Sequence, residues 1–278
     1  MELKGDKMKA KILYYILILL VLLAGIITFI LLSKRDPLYG PESVTFDETG
    51  KRFLISNTMG KSITSLSLSE QYTPFLDEGL AEPRGLTVYA GKLYVADKTA
   101  IKVIDLEKAA IVDTIKIPGA VMLNDLAFTK NGIIYTTDTA GNCIFVIDPA
   151  NNNIQKLASP LLKKPNGIIY DMPRNQMFVV CFTEKSPILS LSTLDNSITI
   201  FMDSIYDNLD GIAIDDLGRI YISCWGQDMI FEIPQEQNRF LPTFKNIQDA
   251  ADIFYYQPEN QLIVPLFNDN KIIRLQLE

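Results

Sequence analysis

A chain of 278 residues with a formal net charge of −7 lacks the clustered Lys and Arg on which non-specific nucleic-acid binding runs, so no nucleic-acid partner is expected. It contains no His, which removes Ser-His-Asp and Cys-His catalysis and imidazole-ligated zinc or copper. Cys143, Cys181 and Cys224 are too few and too scattered for a disulfide framework or a zinc site, and read as buried free thiols.

The amino terminus is unlike the remainder. Residues 1–11 carry Lys4, Lys7, Lys9 and Lys11, and residues 12–32 carry no charge. Those 21 residues, at about 1.5 Å each, are long enough to cross the ~30 Å hydrocarbon layer of a bilayer. The apolar run continues into Leu31, Leu32, Ser33, Lys34 and Arg35 without a small-x-small exit, so an uncleaved anchor is expected rather than a signal peptide. More Lys before the span than after it places residues 1–11 in the cytoplasm and the following domain outside it. The expected organisation is a cytoplasmic segment (1–11), a single transmembrane helix (12–32), a linker (33–40) and one all-β domain (41–278).

Beyond the linker the chain repeats itself. Asn208 to Pro234 holds a polar residue, a short apolar strand, an Asp-Leu-Gly turn, a second strand, a polar loop and a third strand. Related stretches begin at Pro41, Pro83, Leu123, Pro165 and Ala251, and their aligned polar residues are Glu42, Arg84, Asn124, Asn166, Asp210 and Asp252. Units recurring every 40 to 44 residues match the length of a four-stranded propeller blade, so six of them predict a six-bladed β-propeller. Blade one turns at Asp47 to Gly50 and blade two runs from Arg84. Blade three places Asn131-Gly132 between two apolar runs, the strongest hairpin signal in the chain. Blades four and five turn at Asp171 to Gln176 and Asp215 to Gly218. Blade six reaches the carboxyl terminus after three strands, and Asp36 to Tyr39 is the candidate for its missing fourth.

The first strand of a propeller blade lines the central channel, so the six aligned residues are expected to converge at one mouth. Five of them carry side-chain oxygens. Glu42, Asn124, Asn166 and Asp210 together suit Ca²⁺, which takes six to eight oxygen ligands, better than the smaller octahedral Mg²⁺. The competing reading is that Asn and Asp at these points only cap turns.

With these residues the chain resembles the senescence-marker-protein, gluconolactonase and luciferin-regenerating-enzyme-like family of calcium-dependent six-bladed propellers. The resemblance rests on Glu42 in P-E-S-V-T-F-D, Asn124-Asp125, Asn166-Gly167 in P-N-G-I-I-Y-D and Asp210-Gly211 in L-D-G-I-A-I-D. It implies Glu42, Asn124, Asn166 and Asp210 as metal ligands, Asp210 as a candidate base, and hydrolysis of a lactone or other carboxylic ester. Met122 stands where sugar-lactone members carry an Arg, which turns the expectation away from sugar-acid lactones. A carboxylate bound to a cation is a poor base, so Asp125 is an equal candidate to activate water, or else orients Asn124. Arg84 either grips a substrate anion or neutralises Asp252 across the channel. The second-strand ends Asn57, Asp97, Asp138, Cys181, Cys224 and Leu266 are expected around the same mouth. Trp225 and Phe182 follow two of them, where an aromatic packs on substrate or covers a blade edge. The units also resemble NHL repeats, whose propellers bind partners without catalysis, and a purely structural calcium is a third possibility.

Overall fold

In the computed structural model, residues 13–23, 25 and 36–278 are described. Residues 13–23 are helical with exposed apolar side chains. The rest of the expected 12–32 span lies outside the described residues, and among the described residues no helix is long and apolar enough to cross a membrane.

Leu38–Glu278 forms a compact unit of six antiparallel sheets. Five have four strands in sequence order, as expected of meanders; the sixth has three. The innermost strands are Pro41–Asp47, Pro83–Tyr89, Leu123–Phe128, Pro165–Asp171, Leu209–Ile214 and Phe254–Tyr256. Each lies against the next, and the last lies against the first, which makes a closed six-bladed propeller. Alternating apolar residues on each blade meet those of its neighbour, so there is one apolar cluster per blade interface and six in all. Phe53, Phe145, Phe178 and Phe231, each fully buried, are distributed among these clusters.

The hairpin turns follow their sequence signals. Asp47 accepts from the N–H groups of Thr49 and Gly50 and from Arg52 Nε at 3.0 Å. Asp215 repeats this in blade five, accepting from the Leu217 and Arg219 N–H groups and from Arg219 Nε at 2.6 Å. In blade three Thr129 takes the place of the Asp, and Gly132 adopts φ 83°, a conformation costly for a side chain.

Ring closure departs from expectation. Residues 36–40 form no strand and do not complete the blade-six sheet. Instead Leu38 is buried in the cluster between blades six and one, while the Tyr39 and Gly40 N–H groups donate to the side chains of Asn57 and Asn270. The inner strands join directly: the Asp252 N–H donates to the Glu42 carbonyl at 2.9 Å, and Ser43 Oγ donates to Asp252 Oδ2 at 2.6 Å.

Candidate metal and substrate site at one mouth of the channel

The inner strands share an irregularity that sets the site. In blades one to five the pairing with the second strand holds two inner residues opposite one: Glu42-Ser43, Arg84-Gly85, Asn124-Asp125, Asn166-Gly167 and Asp210-Gly211. This is a β-bulge, which re-aims the two side chains relative to a regular ladder. The first residue of each pair faces one mouth. Glu42, Arg84, Asn124, Asn166 and Asp210 line a cavity of about 200 Å³ there, so the structure brings together all four expected metal ligands and Arg84.

The sixth position corrects the sequence alignment. Ala250 bridges Leu266 and Phe254 pairs with Ile263, so Ala251 falls in register with Asp210, and Asp252 falls with Gly211. Ala251 lines the mouth and Asp252 does not. The Asp repeated at a spacing of 42 residues masked a one-residue offset in the backbone. Arg84 accordingly pairs not with Asp252 but with Glu42, Nη1 to Oε1 at 3.8 Å.

The second bulge residues build the hub. Gly85, Gly167 and Gly211 alternate in part with Ser43, Asp125 and Asp252, because the inner strands nearly touch: a Cβ on Gly167 would sit 2.5 Å from the Asp210 carbonyl. Asp125 spans blades, its two oxygens accepting from the N–H groups of Leu126 at 2.7 Å and Ile168 at 2.8 Å. With Asp252 it lies at the base of a second cavity, about 360 Å³, at the opposite mouth, walled by apolar residues such as Leu126, Phe128 and Ile212. Asp125 thus fronts the other cavity rather than the mouth that holds the four candidate ligands, and both of its oxygens accept from backbone N–H groups.

The second-strand ends are also displaced by one position from expectation. Asp97 accepts from the Ala81 and Glu82 N–H groups, and Asp138 from those of Val121 and Met122, so both clamp the loop leading into their own inner strand. It is the residues just after these ends, Thr139, Phe182, Trp225 and Phe267, that line the mouth with Met122. Trp225 is held by its Nε1–H, which donates to the Ala250 carbonyl at 2.8 Å, and packs edge-on against Phe182 at 5.6 Å between centroids. Thr139 and Phe267 were not singled out from sequence, although the register that marks Phe182 and Trp225 passes through both. The three cysteines are buried free thiols, pushed up to about 11 chiefly by burial.

Four oxygens decide what the mouth can hold. Glu42 Oε2, Asn124 Oδ1, Asn166 Oδ1 and Asp210 Oδ1 are buried without a hydrogen-bond partner, in side chains 3 to 6 % exposed. Such an oxygen costs about 1–3 kcal/mol if left unpaired, and four in one place ask for a cation. Two carboxylates and two amides form an all-oxygen donor set, which suits a hard ion such as Ca²⁺. Among the described residues no group of three or more His, Cys, Asp or Glu side chains is arranged for a metal, so any site here depends on its amides. Burial, reinforced by Asp252 and opposed by Arg84, pushes Asp210 up to about 8. Burial also holds Glu42 well above the usual carboxylate range, against the pull of Arg84.

A family model, the SMP-30/gluconolactonase/LRE-like region, matches residues 40–241. The chain belongs to that family. Among solved structures, a gluconolactonase from Xanthomonas campestris shares the fold with a TM-score of 0.74 at 17 % identity, covering 87 % of this chain and 88 % of that one. A luciferin-regenerating enzyme does so at 0.67 and 15 %, covering 86 % and 92 %. Virginiamycin B lyase from Staphylococcus aureus, at 0.65 and 16 %, covers 88 % and 86 %. At these identities the likeness carries the fold alone. A search of curated protein sequences gave no significant match.

Proposed function

We propose that the propeller is a calcium-dependent hydrolase of a small lactone or other carboxylic ester, tethered to a membrane by its amino-terminal apolar stretch. The observation that carries this reading is the set of four unpartnered oxygens at one mouth, in a chain of the gluconolactonase-like family. Glu42, Asn124, Asn166 and Asp210 would hold the ion, which when bound polarises a carbonyl and stabilises the developing oxyanion. The chain supplies the rest. Trp225, Phe182 and Phe267 exclude water from one wall and pack on the apolar part of the substrate. Asp210 is the base, through the carboxylate oxygen that the ion would leave free: as the water oxygen bonds to the carbonyl carbon it takes the water's proton, and it returns that proton to the leaving alkoxide oxygen as the ester C–O bond breaks.

The test is hydrolysis of γ-butyrolactone and phenyl acetate by the full-length chain in detergent, with calcium and with chelator. Turnover is expected only with calcium. Asp210→Asn and Glu42→Gln should each lower kcat/KM by about 100-fold or more with the fold retained, since each removes charge from the centre of transition-state stabilisation. Asp125→Asn should leave kcat within a few-fold, because its carboxylate serves the hub. Full activity in Asp210→Asn and Glu42→Gln would remove this assignment, and a chain without turnover that retains a protein partner would be a binding module. For the tether, a carboxyl-terminal tag is expected to sediment with membranes and to be cleaved by protease added outside intact cells; a protected tag would reverse the orientation.

A further inference from the structure

Of the six arginines of the blades, Arg239 is exposed and has no carboxylate partner among the described residues, and the other five divide into two kinds. Arg52, Arg174, Arg219 and Arg274 lie on the blades away from the mouth, and each has a carboxylate oxygen within 3.0 Å of a guanidinium nitrogen. Arg84 sits in the ring at the mouth. Its nearest carboxylate oxygen is 3.8 Å away, beyond hydrogen-bonding distance, and its Nε is buried with no partner. A guanidinium withdrawn to 19 % side-chain exposure gives up much of its hydration, and this one has no protein acceptor in exchange.

We propose that Arg84 is the anion anchor of this mouth, and that the small molecule taken there carries a carboxylate which the Arg84 fork binds through two parallel N–H donors. The charge balance rests on the proposed calcium site, and the hydrolytic fate of that molecule on the reading of the site as a hydrolase. Three observations point the same way. Arg84 and the four unpartnered oxygens line one cavity, so a single molecule can reach both. Charge agrees: once Glu42 and Asp210 are matched by a divalent ion, Arg84 leaves the mouth with one positive charge in excess, which a monoanion neutralises. That count covers the side chains lining the mouth; Asp125 and Asp252 front the other cavity, and Asp252 acts on Glu42 and Asp210 through the hub.

Shape agrees too. In a closed ring of six, blade two lies opposite blade five, so Arg84 and Trp225 occupy opposite sides of the mouth. The ligand is thus expected to be a compact molecule with a carboxylate at one end and a flat apolar part at the other. About 200 Å³ is below the roughly 300–1,000 Å³ of drug-sized pockets, which restricts it to a small ring compound.

The test is calorimetric titration of the calcium-loaded full-length chain with tetrahydrofuran-2-carboxylate, which has no ester to cleave, and with its neutral carboxamide. The carboxylate is expected to bind about tenfold more tightly or better, as a charge-assisted fork requires. Arg84→Gln should abolish that preference while calcium, titrated alone, still binds; Arg84→Lys should restore only part of it. Equal affinity of the native chain for the two probes, or a preference that survives in Arg84→Gln, would overturn the proposal. Two further assays separate it from the hydrolase reading. If γ-butyrolactone is hydrolysed while the two probes bind equally, the hydrolase stands and the anchor falls. If the carboxylate preference holds and depends on Arg84 while neither γ-butyrolactone nor 5-oxotetrahydrofuran-3-carboxylate is cleaved, the anchor stands and the hydrolase falls.

Discussion

Four buried carboxylates, Glu42, Asp125, Asp210 and Asp252, surround the channel with Arg84 as the cation among the residues that shift them. Burial pushes Asp210 up to about 8 and Asp252 up to about 7, Asp252 itself being pulled back by the Ser43 hydroxyl. An Asp that holds its proton more tightly folded than unfolded favours folding fully below its unfolded value near 3.9, and that contribution is lost as pH rises through the folded value. The metal-free protein should therefore melt at a lower temperature at pH 8 than at pH 5. Calcium, by favouring the ionised carboxylates, should flatten that slope; thermal melts at the two pH values, with and without chelator, check both. The residue types at the mouth were readable from sequence because each inner strand begins its unit with them. What was not readable was Asp252, since an Asp in the expected place looks the same whether the backbone has advanced one residue or not.

At the scale of the strand, the bulge is what converts a repeat into a site. A regular inner strand would send successive side chains to opposite faces; the extra residue turns Glu42 and its counterparts to one mouth while Ser43, Asp125 and Asp252 tie neighbouring blades together. Glycine is needed at the remaining junctions. A Cβ on Gly211 would lie 2.5 Å from Asp252 Cα and 2.6 Å from the Ile253 nitrogen, both backbone atoms that cannot step aside. Gly211→Ala is expected to cost about 1–3 kcal/mol or more, as overpacking does, read as a lower denaturation midpoint. The hairpins and the strand alternation were legible because turn chemistry is local. The lining residues Thr139 and Phe267 were passed over because their position depends on where the second strand stops; Thr139 lacks the aromatic ring that marks Phe182 and Trp225, whereas Phe267 carries it in the same register.

At the scale of the molecule, the six-fold repeat, the all-β class and the family resemblance were all legible, since the period is a property of the whole chain. The closure was not. The last blade has three strands, and no segment from the amino-terminal side completes it. Many a ring of this kind is fastened by one sheet built from both ends of the polypeptide; here blades six and one are joined by the Asp252 to Glu42 and Gly40 to Asn270 hydrogen bonds, the Ser43 hydroxyl, the Arg274–Glu70 ion pair and side-chain packing. Glu42 stands on that seam, whereas Asn124, Asn166 and Asp210 come from blades three, four and five. An ion shared by all four would act as a clasp, drawing the first blade against the far side of the wheel. Its removal should loosen the seam before any other junction, so hydrogen exchange on chelation is expected to quicken first at residues 41–57 and 252–266. Uniform quickening around the wheel would mean that the seam needs no clasp.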